Sequence, residues 1–300
     1  MKKGVISEEL FWKAYKEYFL KPTMKKKKTK IKVTAKRVET RKGNAYIKSG
    51  INPVNRILIA TPSLGRVRME WVLARYGQTI PMNWGQVQFV QFMNSFAPLN
   101  YSVPDAQNII VKETIQQGFE WLLLIEDDTM PPADAFIRFN KYMRDKTAPI
   151  VSGLYFSKSE PSEPLVFRGR GTSVYWKWKF GDLVWCDGVP TGMLLIHSSI
   201  LKALWDESPE YNVGGSGIIA RRVFDVPNKI WFDEKLESFN TLTGTSDLEF
   251  CTRIMKNNIF EKAGWKKFKG KKNPFLVDTN IFCRHIAPDG TQYPTELPRQ

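Results

Sequence analysis

Short apolar runs separated by turn-forming residues organise most of this chain. Ile57-Leu58-Ile59-Ala60 reads as a buried strand that stops at the turn-rich Thr61-Pro62-Ser63-Leu64-Gly65. The helical spacing of Ala106, Ile109, Ile110 and Ile115 predicts a helix capped by Asp105 and ended at Gly118. Trp121-Leu122-Leu123-Leu124-Ile125 is apolar on both faces, which predicts a central strand of a covered parallel sheet. Pro131 and Pro132 suit the first turn of the next helix, where Phe136, Phe139 and Met143 share a face. Another strand is predicted from Pro149 to Tyr155. The apolar segment Val189 to His197 follows, and Ser198 or Ser199 opens a short helix through Leu204. Asp247 begins a helix containing Phe250, Cys251, Ile254 and Met255, and Phe275-Leu276-Val277-Asp278 is a late strand leading to Arg284-His285. Such alternation predicts an α/β fold, with helices on both faces of a mixed, mainly parallel sheet.

Charge changes the picture at one end only. The 300 residues carry a net charge of +15. Residues 1–50 hold 16 Lys/Arg against 4 Asp/Glu, a balance of +12, and the other 250 hold 29 against 26, or +3. The expected organisation is therefore a basic N-terminal helix and arm over 1–50 and a nearly neutral body over 51–300. Ser7 is placed to cap a helix from Glu8 to about Leu20, with Phe11, Trp12, Tyr15, Tyr18 and Phe19 along one stripe. The run Lys25 to Lys28 and the basic residues through Lys42 then read as an arm. Three uses of it stay open: a packed helix with a solvated linker, contact with a nucleic-acid phosphate backbone, and association with anionic lipid.

A hydrophobic fraction of 42% with 25% charged residues excludes disorder of the whole chain. Apolar runs such as Trp121–Ile125 are too short to cross a bilayer. The lysines at the N-terminus are not followed by an apolar leader segment, and Cys186, Cys251 and Cys283 are odd in number and widely spaced. Both features point to a reducing, cytoplasmic setting.

The candidate chemistry lies in the body. Glu126, Asp127 and Asp128 end a buried strand, where three adjacent carboxylates repel one another unless a cation sits among them. Strand ends of open α/β sheets are also where ligands bind. A divalent cation bridging carboxylates and a diphosphate accounts for both, and a solvated acidic turn is the plainer alternative. His285 follows a strand in the polar context Cys283-Arg284-His285 and is either a metal ligand or a structural histidine. His197 closes an apolar segment and reads as structural. Asp247 and Glu249 open a helix, as caps or, where they face a pocket, as bases.

In order, these motifs resemble a GT-A glycosyltransferase of the family 2 type, close to compact phage and bacterial members, from about Arg56 to Ile286. Ile57 to Arg68 is similar to the first strand and nucleotide-binding loop, and Asp105-Ala106-Gln107-Asn108 to the helix that follows. Glu126-Asp127-Asp128 resembles the DxD metal motif, and Gly188-Val189-Pro190-Thr191-Gly192-Met193 the acceptor segment. Ser246-Asp247 is similar to the element whose Asp is the general base, and His285 to a late metal-holding histidine. Three positions depart from the pattern: Glu126 replaces the first Asp, Ser246 the usual Glu, and Gln107 a frequent Arg. The resemblance implies Mn²⁺ or Mg²⁺ held by Asp128 and His285 with Glu126. It implies a nucleotide-sugar donor, a UDP-sugar before a GDP-sugar, contacted by Thr61, Pro62, Arg66, Asn108, Glu126 and Asp127. Asp247 is then the base, with Glu249 in reserve, and the anomeric centre is inverted.

The acceptor is less constrained. Tyr175-Trp176-Lys177-Trp178-Lys179-Phe180, read as a strand after Arg168-Gly169-Arg170-Gly171, places Tyr175, Lys177 and Lys179 opposite Trp176, Trp178 and Phe180. With the lysine-rich loop Trp265 to Lys272, such a surface suits sugars or nucleic acid, and a hydroxymethylated base in phage DNA is one candidate acceptor. Two other functions compete: a non-catalytic polyanion-binding module on a GT-A body, and a metal-dependent nucleotidyltransferase.

Overall fold

The computed structural model of the chain describes residues 56–93, 95–169 and 174–297. The basic segment 1–50, with its expected helix and lysine run, lies outside the described residues, as do residues 170–173 of the aromatic–basic stretch.

A six-stranded sheet forms the centre, built from β1 (Ile57–Ala60), β2 (Trp121–Ile125), β4 (Ile150–Leu154), β5 (Leu183–Cys186), β6 (Met193–His197) and β11 (Phe275–Phe282). Their order is β1-β2-β6-β4-β11-β5, and outside this sheet β7 (Glu210–Asn212) pairs with β8 (Ile219–Arg221) and β9 (Asn228–Asp233) with β10 (Ser238–Thr243). β1 pairs parallel with β2 and β4 parallel with β11, whereas β6 runs antiparallel to both β2 and β4, and β5 antiparallel to β11. Four strands thus share one direction, as expected of a mainly parallel, GT-A-like sheet. The covered strand β2 differs in one respect from its expectation: its second neighbour, β6, is antiparallel. The apolar character of Val189 to His197 does not encode direction, and only its second half, from Met193, is strand.

Every residue of β1, β2 and β4 is buried, so helices and loops cover both faces of the sheet. One group of helices, Met69–Tyr76, Gln86–Met93 and Ala135–Asp145, interlocks through Phe92, which meets Tyr76 and Phe136 edge-on, and Trp84 also meets Phe136. Arg75 is enclosed there, above the rings of Tyr76, Phe92 and Phe136, and donates to the Phe92 carbonyl and Ser95 Oγ. Burial without a carboxylate partner lowers its pKa to about 10. A second group comprises Val103–Gln116, Ser198–Glu207 and Ser246–Lys256.

Three local expectations are corrected. Helix Val103–Gln116 is capped by Ser102, not Asp105. Ser102 Oγ accepts from the Asp105 amide and donates to the Asp105 carboxylate. Pro131 and Pro132 precede helix Ala135–Asp145, because Thr129–Met130 is drawn out as strand β3 to pair with β12 (Arg284–Ile286). The aromatic–basic stretch is not a regular strand. Trp178 is buried against Phe156 and Phe180, and its indole N–H donates to the Tyr175 carbonyl, while Trp176 stays exposed. Within the expected lysine-rich loop, Lys266–Phe268 form one tight turn, and Trp265 packs edge-on against His197. His197 also meets Trp121 edge-on, and its Nδ1 accepts from the Ser199 amide as the cap of helix Ser198–Glu207, the structural role expected of it.

Candidate active site

The four co-directional strands deliver the candidate residues to one edge of the sheet. β1 runs out into Thr61–Gly65, β2 into Glu126-Asp127-Asp128 and β4 into Tyr155 and Phe156. β11 leads through Cys283 into β12, and β6 enters at the same edge from Thr191 and Gly192. The short strands β3 and β12 then fix His285 opposite Thr129, and the Ile286 amide donates to the Asp128 carbonyl.

The three acidic residues have three environments. Glu126 accepts a 2.7 Å hydrogen bond from Thr191 Oγ1, and its main chain is tied to Gly192 and to the Trp71 indole. Burial, followed by the nearby Asp128 and Asp247 charges, pushes its pKa up to about 8. Asp127 accepts from Ser63 Oγ at 2.6 Å, and burial raises its pKa in spite of that bond. Asp128 is held the other way. Burial alone would raise it, but His285 and Lys158 more than offset this and bring it to about 2. His285 Nε2 lies 3.3 Å and Lys158 Nζ 2.5 Å from the same oxygen, Asp128 Oδ2.

The other ring nitrogen of His285, Nδ1, lies 2.8 Å from the Phe156 carbonyl. A carbonyl only accepts, so Nδ1 carries a proton, and Nε2 is the ring nitrogen that faces Asp128 Oδ2. An imidazole nitrogen beside a carboxylate oxygen is a donor set that suits Mn²⁺ or Mg²⁺ when phosphate oxygens complete the shell. Among the described residues no group of three His, Cys, Asp or Glu side chains is arranged to hold a metal. The protein's share would be Asp128 and His285, with Glu126, one of whose oxygens is bonded to Thr191, beside them.

Behind Glu126 runs a buried chain of hydrogen bonds. Ser246 Oγ donates to Gln107 Oε1, Gln107 Nε2 to Thr191 Oγ1, and Thr191 Oγ1 to Glu126. Two of the departures from the family pattern, Gln107 and Ser246, are thus partners of each other, and they couple the start of helix Ser246–Lys256 to the carboxylate cluster. Asp247 lies in the first turn of this helix and accepts from the Leu248 amide at 2.8 Å. Burial raises its pKa, and its charge in turn raises those of Glu126 and Tyr155. Glu249 has a different neighbour: its charge acts on Arg253, one turn further along.

Tyr155 binds this group from β4. Its buried hydroxyl accepts from the Gly192 amide at 2.6 Å, and its ring meets His285 edge-on. A Cβ on Gly192 would lie 2.4 Å from Tyr155 Oη and 2.6 Å from Thr129 Oγ1. Gly192→Ala is expected to cost about 1–3 kcal/mol of stability through overpacking, read as a lowered urea midpoint. An unchanged midpoint would show that Tyr155 is free to move.

A cavity of about 750 Å³ opens beside Asp127 and Asp128, within the usual range for small-molecule sites. Pro62, Ser63 and Arg66 of the loop after β1 line it, as does Lys158, which carried no sequence signal. Thr61 is buried beneath the loop, and its hydroxyl lacks a partner among the described residues. Asn108 is enclosed, its amide group bonded to the Phe224 main chain and the Tyr211 hydroxyl. Neither Thr61 nor Asn108 lines the cavity.

No family model and no curated protein matches the sequence. Among solved structures, the chain is similar to A197 from STIV, with 15% identity and a TM-score of 0.45, over 79% of this chain and 92% of that one. It is also similar to S. aureus TarS 1-349 in complex with UDP, with 11% identity and a TM-score of 0.35, over 66% of this chain and 54% of that one. Likeness at this level bears on neither substrate nor mechanism.

Proposed function

We propose that the protein is a GT-A-type glycosyltransferase that moves a sugar from a nucleoside diphosphate to an acceptor hydroxyl, with inversion. The observation that carries this reading is the meeting of Asp128, His285, Glu126 and Asp247 near one strand edge, beside a cavity of about 750 Å³. The motif order from Ile57 to His285 supports it. Asp247 receives the proton of the acceptor hydroxyl as the oxygen bonds to the anomeric carbon and the bond from that carbon to the diphosphate breaks. Its burial raises its basicity, which suits a general base. Asp128 and His285 would hold a divalent ion, whose positive charge would offset the negative charge of a leaving diphosphate. Arg66 and Pro62 to Leu64 of the loop after β1 also line the cavity, where they would contact the nucleotide. The polyanionic acceptor, including a modified DNA base, rests on the +12 balance of residues 1–50 and on the basic and aromatic residues of Tyr175 to Phe180 and Trp265 to Lys272.

The test is a thermal-shift panel of UDP, GDP, CDP, ADP and dTDP, each with Mn²⁺, Mg²⁺ or EDTA, on wild type and Asp128→Asn. One diphosphate, UDP first, is expected to stabilise wild type by about 2.7 kcal/mol at a hundredfold excess over its Kd. EDTA and Asp128→Asn should both abolish the shift. A shift indifferent to metal and to Asp128 would remove the metal-assisted reading, and no shift with any diphosphate would favour a polyanion-binding module.

A further inference from the structure

Lys158 is the residue that the reaction described above leaves without a role. It lies on the tight segment between Phe156 and Pro164, which pair as an isolated antiparallel bridge. The Ser157 amide donates to the Glu163 carbonyl at 2.8 Å, the Glu163 amide to Ser157 Oγ at 2.9 Å, and Ser162 Oγ to the Ser159 carbonyl at 2.9 Å. The loop backbone is therefore held, and the long lysine stem reaches from it to Asp128 Oδ2 in the cavity wall.

That position poses an electrostatic conflict. A divalent ion using Asp128 and His285 needs the carboxylate oxygen on which Nζ stands, and two cations cannot share it without strong repulsion. A diphosphate entering the same cavity meets Asp127 and Asp128, which repel it, and so requires cations on the protein side. Of the arginines in the lining, Arg68 is already bidentate to Glu70 and bonded to the Pro288 carbonyl. Lys158 has a flexible four-carbon stem and a point charge able to exchange one oxygen anion for another.

We infer that Lys158, paired here with Asp128, is a diphosphate-binding residue that transfers to a phosphate oxygen when the donor nucleotide enters. The inference rests on the glycosyltransferase reading and adds to it a protein group that exchanges places with the metal. Lysine in the resting position neutralises Asp128 and weakens metal binding until nucleotide draws it away. Metal and nucleotide should therefore bind with positive coupling.

The experiment measures two affinities on wild type, Lys158→Ala and Lys158→Arg. These are the affinity for Mn²⁺ without nucleotide, by its electron paramagnetic resonance signal, and that for UDP at saturating Mn²⁺, by calorimetry. Lys158→Ala is expected to bind Mn²⁺ alone about threefold or more tighter, since a competing cation is gone. The same variant should bind UDP about tenfold or more weaker, through loss of one charge-assisted hydrogen bond. Lys158→Arg should keep UDP affinity within about threefold. Effects of opposite sign are not produced by general damage to the site. Unchanged UDP affinity in Lys158→Ala, or joint weakening of Mn²⁺ and UDP, overturns the inference while the donor reading stands. Wild type that binds none of UDP, GDP, CDP, ADP and dTDP overturns both.

Discussion

Asp247→Asn is expected to lower the transfer rate by about 10²–10⁴-fold while leaving nucleotide-sugar affinity nearly unchanged. Asparagine keeps the shape of the side chain and an oxygen that can accept from the Leu248 amide, so the helix start survives. What it removes is the lone pair that takes a proton and the charge that burial holds at raised pKa. Asp247 is also absent from the lining of the cavity proposed for the nucleotide, so binding and transfer should separate. Single-turnover transfer and donor binding, measured on one preparation, check this. Equal loss of both would remove Asp247 as the base. Glu249→Gln is the control: its charge acts on Arg253, and transfer should fall far less.

The second large effect is on stability and has a definite sign. Glu126 has a pKa of about 8 in the folded chain against 4.5 ordinarily. Between those values the folded state holds a proton that the unfolded chain has released, so stability falls as pH rises through that window and levels off above it. Asp247, raised in the same direction, adds to the fall. Asp128 has the opposite sign: lowered to about 2 from 3.8, its contribution is complete above about pH 4 and is lost as pH falls through 2. Glu126→Gln stays neutral at every pH and can still accept from Thr191. In EDTA its stability relative to wild type should grow by on the order of 3 kcal/mol between pH 5 and pH 8. Parallel Tm curves for the two proteins across that range would refute the raised pKa. They would equally refute the enclosed, metal-free environment that causes it.

Much of this site was legible in the sequence because it sits at the ends of short apolar runs. The runs Ile57–Ala60 and Trp121–Ile125 are strands at those bounds, and the acidic cluster follows β2 as expected. The start of helix Ser246–Lys256 places Asp247 where its motif predicts. The rest depends on contacts between distant segments, which periodicity does not record. Asn108 looked like a ligand contact in its motif, but its amide is engaged by Phe224, far along the chain. Tyr155 simply continues a strand, and Lys158 is a lone lysine among serines and prolines. Their roles come from the neighbours that β4 brings to them. The alternation from Tyr175 to Phe180 was misleading for the opposite reason. A period of two needs a partner strand to become a sheet, whereas here Trp178 turns into a core cluster with Phe156.

The pairing of β3 with β12 bears on when, during synthesis and folding, this protein becomes able to work. Asp128 emerges from the ribosome long before His285, and nothing local joins them until the late strand docks across that loop. Closing so long a loop carries an entropy cost that only the surrounding sheet can offset, so this contact belongs to the last steps of folding. Partly folded chains would hold the acidic residues without their histidine, and any competence for metal would report that β12 has found its place.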